Sequence, residues 1–263
     1  MAEAHNHDPY APAEIAGLVA QVGVAKARLP LLPLLTLAVL GGAHIAFGAS
    51  LYSVAITDSG LGFGPTQVLG GLAFSLGLVL IVVGGAELFT GNNLLAMAWA
   101  GGQVSLGEVL RNWALVYLGN LLGAVATAAM VWLSGIMEAG GGQVAESVRR
   151  LALAKVALPV EQVFLRGVLC NMLVCLAIWL SFAARDVAGR ILAIVFPVTA
   201  FVALGLEHSV ANMFLLPLGR LLGADIPLDA MLINLLPATL GNLLGGTVLV
   251  ALVYYVCYVR PRR

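Results

Sequence analysis

Four ionisable side chains stand in long apolar runs of this chain: His44, Glu87, Glu207 and His208. A carboxylate at the centre of a bilayer costs about 2.5–3.5 kcal/mol on insertion scales, so each such group needs a partner or a role. The two glutamates occupy related settings. The run Gly85-Ala-Glu-Leu-Phe-Thr-Gly-Asn92 is echoed by Gly205-Leu-Glu-His-Ser-Val-Ala-Asn212, with Gly, Glu and Asn in register 120 residues apart. The pentapeptide Gly-Asn-Leu-Leu-Gly also occurs twice, at 119–123 and 241–245, 122 residues apart. Two echoes at nearly one period indicate a duplicated half.

Each half suggests its own chemistry. A glutamate beside small residues at a helix break accepts hydrogen bonds from freed backbone N–H groups and is favoured near a half-helix N-terminus. Glu87 and Glu207, with Asn92 and Asn212, are therefore read first as braces of such breaks and second as substrate contacts. His208 is different, because the matching position in the first half is Leu88. The duplicated scaffold explains the glutamate and leaves the histidine to function, as a pore-facing donor of a hydrogen bond or a proton. His44 has no comparable setting and is assigned to helix packing. Asn120 and Asn242 are flanked by GxxxG glycines that permit close helix approach. They read equally as interhelical glue or as pore donors.

The elements that must position these groups follow from composition. With 61% hydrophobic and 10% charged residues, the 263-residue chain lies outside the range of soluble domains. No Asp, Glu, Lys or Arg occurs in 31–57, 59–86, 112–137, 167–184 or 230–259, and Glu207 alone interrupts 191–218. A crossing helix needs roughly 20 apolar residues, so these runs give six spans, at about 31–57, 67–99, 111–134, 164–184, 190–219 and 230–258. The second and fifth are too long for a simple crossing and carry the Glu/Asn repeat, so both are read as broken helices. Unwound backbone at membrane depth survives where protein buries it or where it lines a cavity. The fold class is thus an all-α integral membrane protein of six transmembrane helices, three plus three. Halves of three crossings are inverted relative to one another, with a substrate path between them near the midplane.

Five segments are expected: a tail and short amphipathic helix at 1–30, a first repeat at 31–134, a polar, Gly-rich connector at 135–163, a second repeat at 164–258, and a tail at 259–263. Ile15, Leu18, Val19 and Val22 give the amphipathic helix its apolar face at the membrane interface, as an anchor or a gate. Residues up to about 12, with His5 and His7, read as a flexible tail without a metal. The start lacks the basic-then-apolar plan of a cleavable signal. Cys170, Cys175 and Cys257 read as small buried hydrophobes. With the termini inside, eight Lys and Arg lie on the cytoplasmic side and five on the other, which favours that orientation. The zero net charge implies no nucleic-acid partner.

At this point the chain resembles the formate/nitrite transporter family over nearly its whole length. The residues that carry the resemblance are Gly84-Gly-Ala-Glu-Leu-Phe-Thr-Gly91, Asn112-Trp-Ala-Leu-Val-Tyr-Leu-Gly-Asn120, Leu169-Cys-Asn-Met-Leu-Val-Cys-Leu-Ala-Ile-Trp179 and Gly205-Leu-Glu-His-Ser-Val-Ala-Asn-Met-Phe214. The resemblance implies an aquaporin-like protomer with its own pore, a homopentamer in the bacterial inner membrane, and no cofactor. It implies a central His208 with Thr90 nearby and pore asparagines at Asn171 and Asn242. Constrictions would fall on Phe74, Leu78, Leu88, Phe89, Val174 and Phe201, and an outer-entrance lysine on Lys155. The implied substrates are small weak-acid anions: formate first, with nitrite or hydrosulfide as alternatives.

Other classes are less well served. A neutral-solute aquaporin-type pore would carry Asn-Pro-Ala at both half-helix starts, and that tripeptide is absent. An intramembrane enzyme would need a nucleophile–base pair or a metal cluster. A non-conducting scaffold remains open, as does the choice between a passive channel and a proton-coupled carrier.

Overall fold

A computed structural model describes residues 8–260. The readings of His5, His7 and the last three residues lie outside that range. The described residues are helical, joined by short turns. Helix α1 spans Pro12–Ala27, α2 Leu31–Ile56 and α3 Phe63–Gly84; after a loop, a 3₁₀ turn Gly91–Leu95 leads into α4, Ala96–Ala100. Then come α5 Leu106–Leu133, α6 Gln143–Val156, α7 Val160–Ala183, α8 Val187–Ala203, α9 Ser209–Leu221 and α10 Leu228–Leu243, which continues in wider π-helical turns to Val259. Five helices are long and apolar enough to cross a membrane: α2, α3, α5, α7 and the unit Leu228–Val259. Helix α8 is shorter.

The packing of the first half reappears in the second. Helix α2 packs on α3 and α5, and α7 packs on α8 and α10; the halves meet through α3 against α8 and α5 against α9. Small residues make this closeness possible. A Cβ on Gly123 would collide with the Val39 carbonyl, and one on Gly245 with the Val168 carbonyl. Both long apolar runs break where their repeats stand. Helix α3 ends at Gly85 with φ +89°, and the break after α8 passes through Gly205 at φ +65°. Glycine adopts this left-handed geometry without the Cβ penalty.

Three expectations are corrected. The connector holds a helix, α6, which relates to α7 as α1 relates to α2. Each of these short helices turns into a long one through an extended proline, Pro30 (ψ 155°) or Pro159 (ψ 143°). Helix α1 does not lie free on the interface. Its apolar face, with Ile15, Val19 and Ala20 buried, packs on the 3₁₀ turn, α4 and α7. The segment before it is tethered from residue 8 onward: Tyr10 N donates to the Ala183 carbonyl at 3.1 Å, and the Arg185 guanidinium sits 4.0 Å from the Tyr10 ring centre. Cys170 and Cys175 are buried, but Cys257 is exposed, on a π-helical segment that buries none of its residues.

Candidate functional site

Each break is held by a cluster of four polar side chains, and the two clusters are near copies. At the first, Lys26 Nζ donates to Glu87 Oε1 at 2.7 Å and to Asn92 Oδ1 at 3.1 Å. Asn92 Nδ2 donates to Glu87 Oε2 at 2.6 Å and to Asn112 Oδ1 at 2.9 Å, and Asn112 Nδ2 donates to the Lys26 carbonyl at 3.0 Å. At the second, Lys155 Nζ donates to Glu207 Oε1 at 2.8 Å. Asn212 Nδ2 donates to Glu207 Oε2 at 2.6 Å and to Asn234 Oδ1 at 2.7 Å, and Asn234 Nδ2 donates to the Lys155 carbonyl at 3.0 Å. The carboxylates are 4% and 2% exposed. A buried charge is tolerable when a counter-charge and hydrogen bonds use its lone pairs, as they do in both clusters.

Asn120 and Asn242 close the breaks from the neighbouring helices. Asn120 Nδ2 donates to the Ala38 and Glu87 carbonyls at 2.7 and 2.9 Å, while its Oδ1 accepts from Phe89 N at 2.9 Å. Asn242 does the same with the Gly167 and Glu207 carbonyls, at 2.8 and 2.9 Å, and with Ser209 N at 2.9 Å. Each amide thus satisfies the two backbone groups that its break leaves without helical partners, and adds a bond to a carbonyl inside α2 or α7.

His208 sits where the scaffold's symmetry fails. It is the N-cap of α9, its Nδ1 accepting from Ala211 N at 3.1 Å. An accepting Nδ1 carries no proton, so the neutral ring bears its hydrogen on Nε2. Nε2 lies 3.0 Å from Thr90 Oγ1, to which it therefore donates. Thr90 comes from the other half, so this bond joins the two breaks. Its hydroxyl hydrogen remains available to a further acceptor. The Phe201 ring lies nearly parallel to the imidazole, 5.9 Å away at 16°, and Phe74 meets Phe201 edge-on at 5.6 Å.

Two cavities flank this arrangement. One, of about 220 Å³, is lined by Val19 and Lys26 of α1 together with Glu87, Leu88 and Asn92. The other, of about 200 Å³, is lined by Lys155, Glu207, His208, Phe74 and Phe201. They open toward opposite ends of α2: α1 leads into its start, and α6 reaches its end through a 3.0 Å hydrogen bond from Thr57 to Ser147. Neither cavity is lined by Leu78, Phe89 or Val174. All three lie in one buried cluster with Phe74, Leu88 and Phe201, and Phe89 meets Tyr117 edge-on at 5.0 Å. Asn171 lies beside Thr90; its Nδ2 donates to Asn93 Oδ1 and the Asn242 carbonyl at 2.7 Å each and stands 3.2 Å from the Thr90 carbonyl. Its buried Oδ1 has no partner among the described residues.

Sequence reasoning missed Lys26, Asn112 and Asn234. The asparagines carried a usable signal, since they stand 122 residues apart like Asn120 and Asn242. Lys26 did not, because the lysines are 129 residues apart and Lys26 resembled a solvated helix charge. No group of three or more His, Cys, Asp or Glu among the described residues is placed to hold a metal.

Known proteins share this architecture. The family profile described as formate/nitrite transporter matches residues 13–256. The chain is 37% identical over 269 residues to the formate channel FocA of Escherichia coli (strain K12), covering 95% of this chain and 94% of that one. It is 40% identical over 255 residues to the uncharacterized transporter YrhG of Bacillus subtilis (strain 168), covering 96% and 95%. A solved pentameric formate channel with formate bound superposes with a TM-score of 0.81 at 35% identity, over 88% of this chain and 98% of that one. These relatives are channels and transporters, not enzymes. With its membrane-capable helices and a match along nearly its whole length, the chain is an integral membrane protein of the formate/nitrite transporter family.

Proposed function

We propose that this chain is a channel for small monovalent weak-acid anions, formate foremost, assembled as a homopentamer in which each protomer has its own pore. In this reading α8 and α9 together make the fifth of six crossings, the halves form an inverted three-plus-three repeat, and both termini face the cytoplasm. The observation that carries the reading is the His208–Thr90 hydrogen bond, joining the two breaks beside stacked aromatic rings and between two cavities.

The chemistry follows from solvation. An anion arriving in a cavity meets an apolar constriction formed by Phe74, Leu88 and Phe201, with Leu78, Phe89 and Val174 in the wall behind. Such side chains do not replace its hydration shell, and a bare charge there is costly. Desolvation raises the pKa of a weak acid, so the substrate takes up a proton and crosses as the neutral acid. His208 holds Nε2–H against Thr90, whose hydroxyl hydrogen is the donor offered to a passing oxygen. Because its Nδ1 is occupied by the helix cap, the ring acts as a hydrogen-bond donor, and the transferred proton comes from solvent. Asn171 adds a polar edge to the same point.

The test is flux into proteoliposomes holding the purified pentamer, with formate, nitrite, chloride and glycerol compared in one assay. Formate and nitrite should pass, chloride and glycerol should lag, and formate influx should rise as outside pH falls. The formate-to-nitrite ratio ranks the two substrates. Chloride flux equal to formate flux would sink the protonation step, and glycerol passing best would mean a neutral-solute pore.

A further inference from the structure

We propose that Arg166 is the charge that draws anions into the cavity on the α6 side, a role separate from that of the Lys155–Glu207 pair. The proposal rests on the anion-channel reading above. Three charged side chains line that cavity: Lys155, Glu207 and Arg166. The first two are 2.8 Å apart with side chains only 12% and 2% exposed, so their charges cancel at any distance a diffusing anion samples. Arg166 has no such partner. Its guanidinium donates to a neutral acceptor, the Gly205 carbonyl, at 3.3 Å, and it forms no ion pair among the described residues. The cavity therefore presents one uncompensated positive charge, and it is the arginine's.

The repeat supplies an independent argument. Arg166 braces the second break through its backbone, its carbonyl accepting from Glu207 N at 3.4 Å. At the first break the same task falls to Leu37, whose carbonyl accepts from Glu87 N at 3.1 Å. A leucine side chain satisfies the scaffold, so bracing does not call for the guanidinium. What a guanidinium adds is a permanent charge, weakly hydrated, with donors suited to the oxygens of a planar oxyanion. The ligand class is accordingly a small carboxylate or nitrite-like anion.

The test uses the full chain in right-side-out and inside-out vesicles, with initial formate flux measured over a concentration series. Two unit charges about 7 Å apart in water interact by roughly RT, so removing one should change local occupancy about threefold. Arg166→Gln should raise the half-saturating formate concentration by about that factor in one vesicle orientation only, with the rate at saturating formate retained. The difference should disappear at about 0.5 M salt, where screening is short-ranged. Arg166→Glu should shift the concentration further, about tenfold, and Arg166→Lys should stay within about twofold of the parent. An unchanged half-saturation for Arg166→Gln overturns the proposal and leaves the channel reading standing. So does a lowered maximal rate that Arg166→Lys fails to restore, since the guanidinium would then serve only to hold Gly205. Absence of formate flux through the parent chain overturns both.

Discussion

Replacing Asn242 with alanine is the sharpest test of how the second break is held. The substitution strands the Glu207 carbonyl and the Ser209 N–H, and takes a bond from the Gly167 carbonyl inside α7. All three residues and the asparagine itself are buried, so water does not substitute. Two magnitudes compete. Interhelical hydrogen bonds in membrane proteins average about 0.6 kcal/mol in double-mutant cycles, which would give about 2 kcal/mol for three. That average counts bonds whose partners find others. Here the partners are fixed backbone groups at a helix break, and an orphaned buried group costs about 1–3 kcal/mol. The second figure governs, and for two stranded groups the expected loss is about 2–6 kcal/mol. Graded denaturation of the detergent-solubilised protein, followed by tryptophan fluorescence, measures it. Asn120→Ala strands the matching pair at the first break, the Glu87 carbonyl and the Phe89 N–H, and should lose the same amount within about 1 kcal/mol. Asn242→Asp should fare no better, since a carboxylate has nothing to donate to two carbonyls. Either alanine variant within about 1 kcal/mol of the parent would refute the bracing argument. Formate flux should fall further for Asn242→Ala than for Asn120→Ala, because His208 lies between the two groups Asn242 holds.

Other expectations follow from the same geometry. Lys155→Met leaves the Glu207 carboxylate buried and unpaired, at a cost of about 3–5 kcal/mol. Lys26→Met should cost less, because its side chain is 29% exposed against 12%; thermal melts in the opposite order would contradict the pairing, and adding Glu87→Gln to Lys26→Met should recover most of the loss. Gly123→Ala and Gly245→Ala each drive a methyl into a backbone carbonyl that is not free to swing away. Both should abolish recovery of the folded protein by size-exclusion chromatography, and normal yields would show that the helices are not so closely packed. Glu146, on α6 and outside the spans, accepts from Arg149 at 2.6 Å, which holds its carboxyl below the usual range. A depressed folded-state value stabilises above the unfolded one, near pH 4.3, and the gain is lost as pH falls through the folded value. Melts of the parent and Glu146→Gln should therefore differ slightly at pH 7 and converge in acid; a gap that widens in acid would reverse the sign.

What was legible in the sequence was whatever duplication had copied at one period. Glu87 and Glu207, Asn92 and Asn212, and Asn120 and Asn242 recur at 120 to 122 residues, and each pair proves to hold equivalent positions. His208 stood out because Leu88 occupies its counterpart. The lysines were hidden by an extra seven to nine residues of spacing, which shifts their period to 129. The same shift disguised α6 as a mere connector. Periodicity also gave the wrong surroundings for α1: a stripe of Ile15 and Val19 shows that a face is buried, without showing whether protein or lipid buries it. The π-helical end of the last segment left no trace, since its residues are as apolar as any helix facing lipid.

The polar braces have a consequence for how the chain is made. Every partner of Glu87 and of Asn120 lies between Lys26 and Asn120, and every partner of Glu207 and of Asn242 lies between Lys155 and Asn242. Each lysine also leaves the ribosome before its glutamate. The nascent chain can thus neutralise the first carboxylate before the second half has been synthesised, and the second without help from the first. The contacts around Thr90, His208 and Asn171, which do cross between halves, form only when both are present. Biogenesis is thereby divided: the steps that make each half tolerable to the bilayer are complete before the step that joins the two halves.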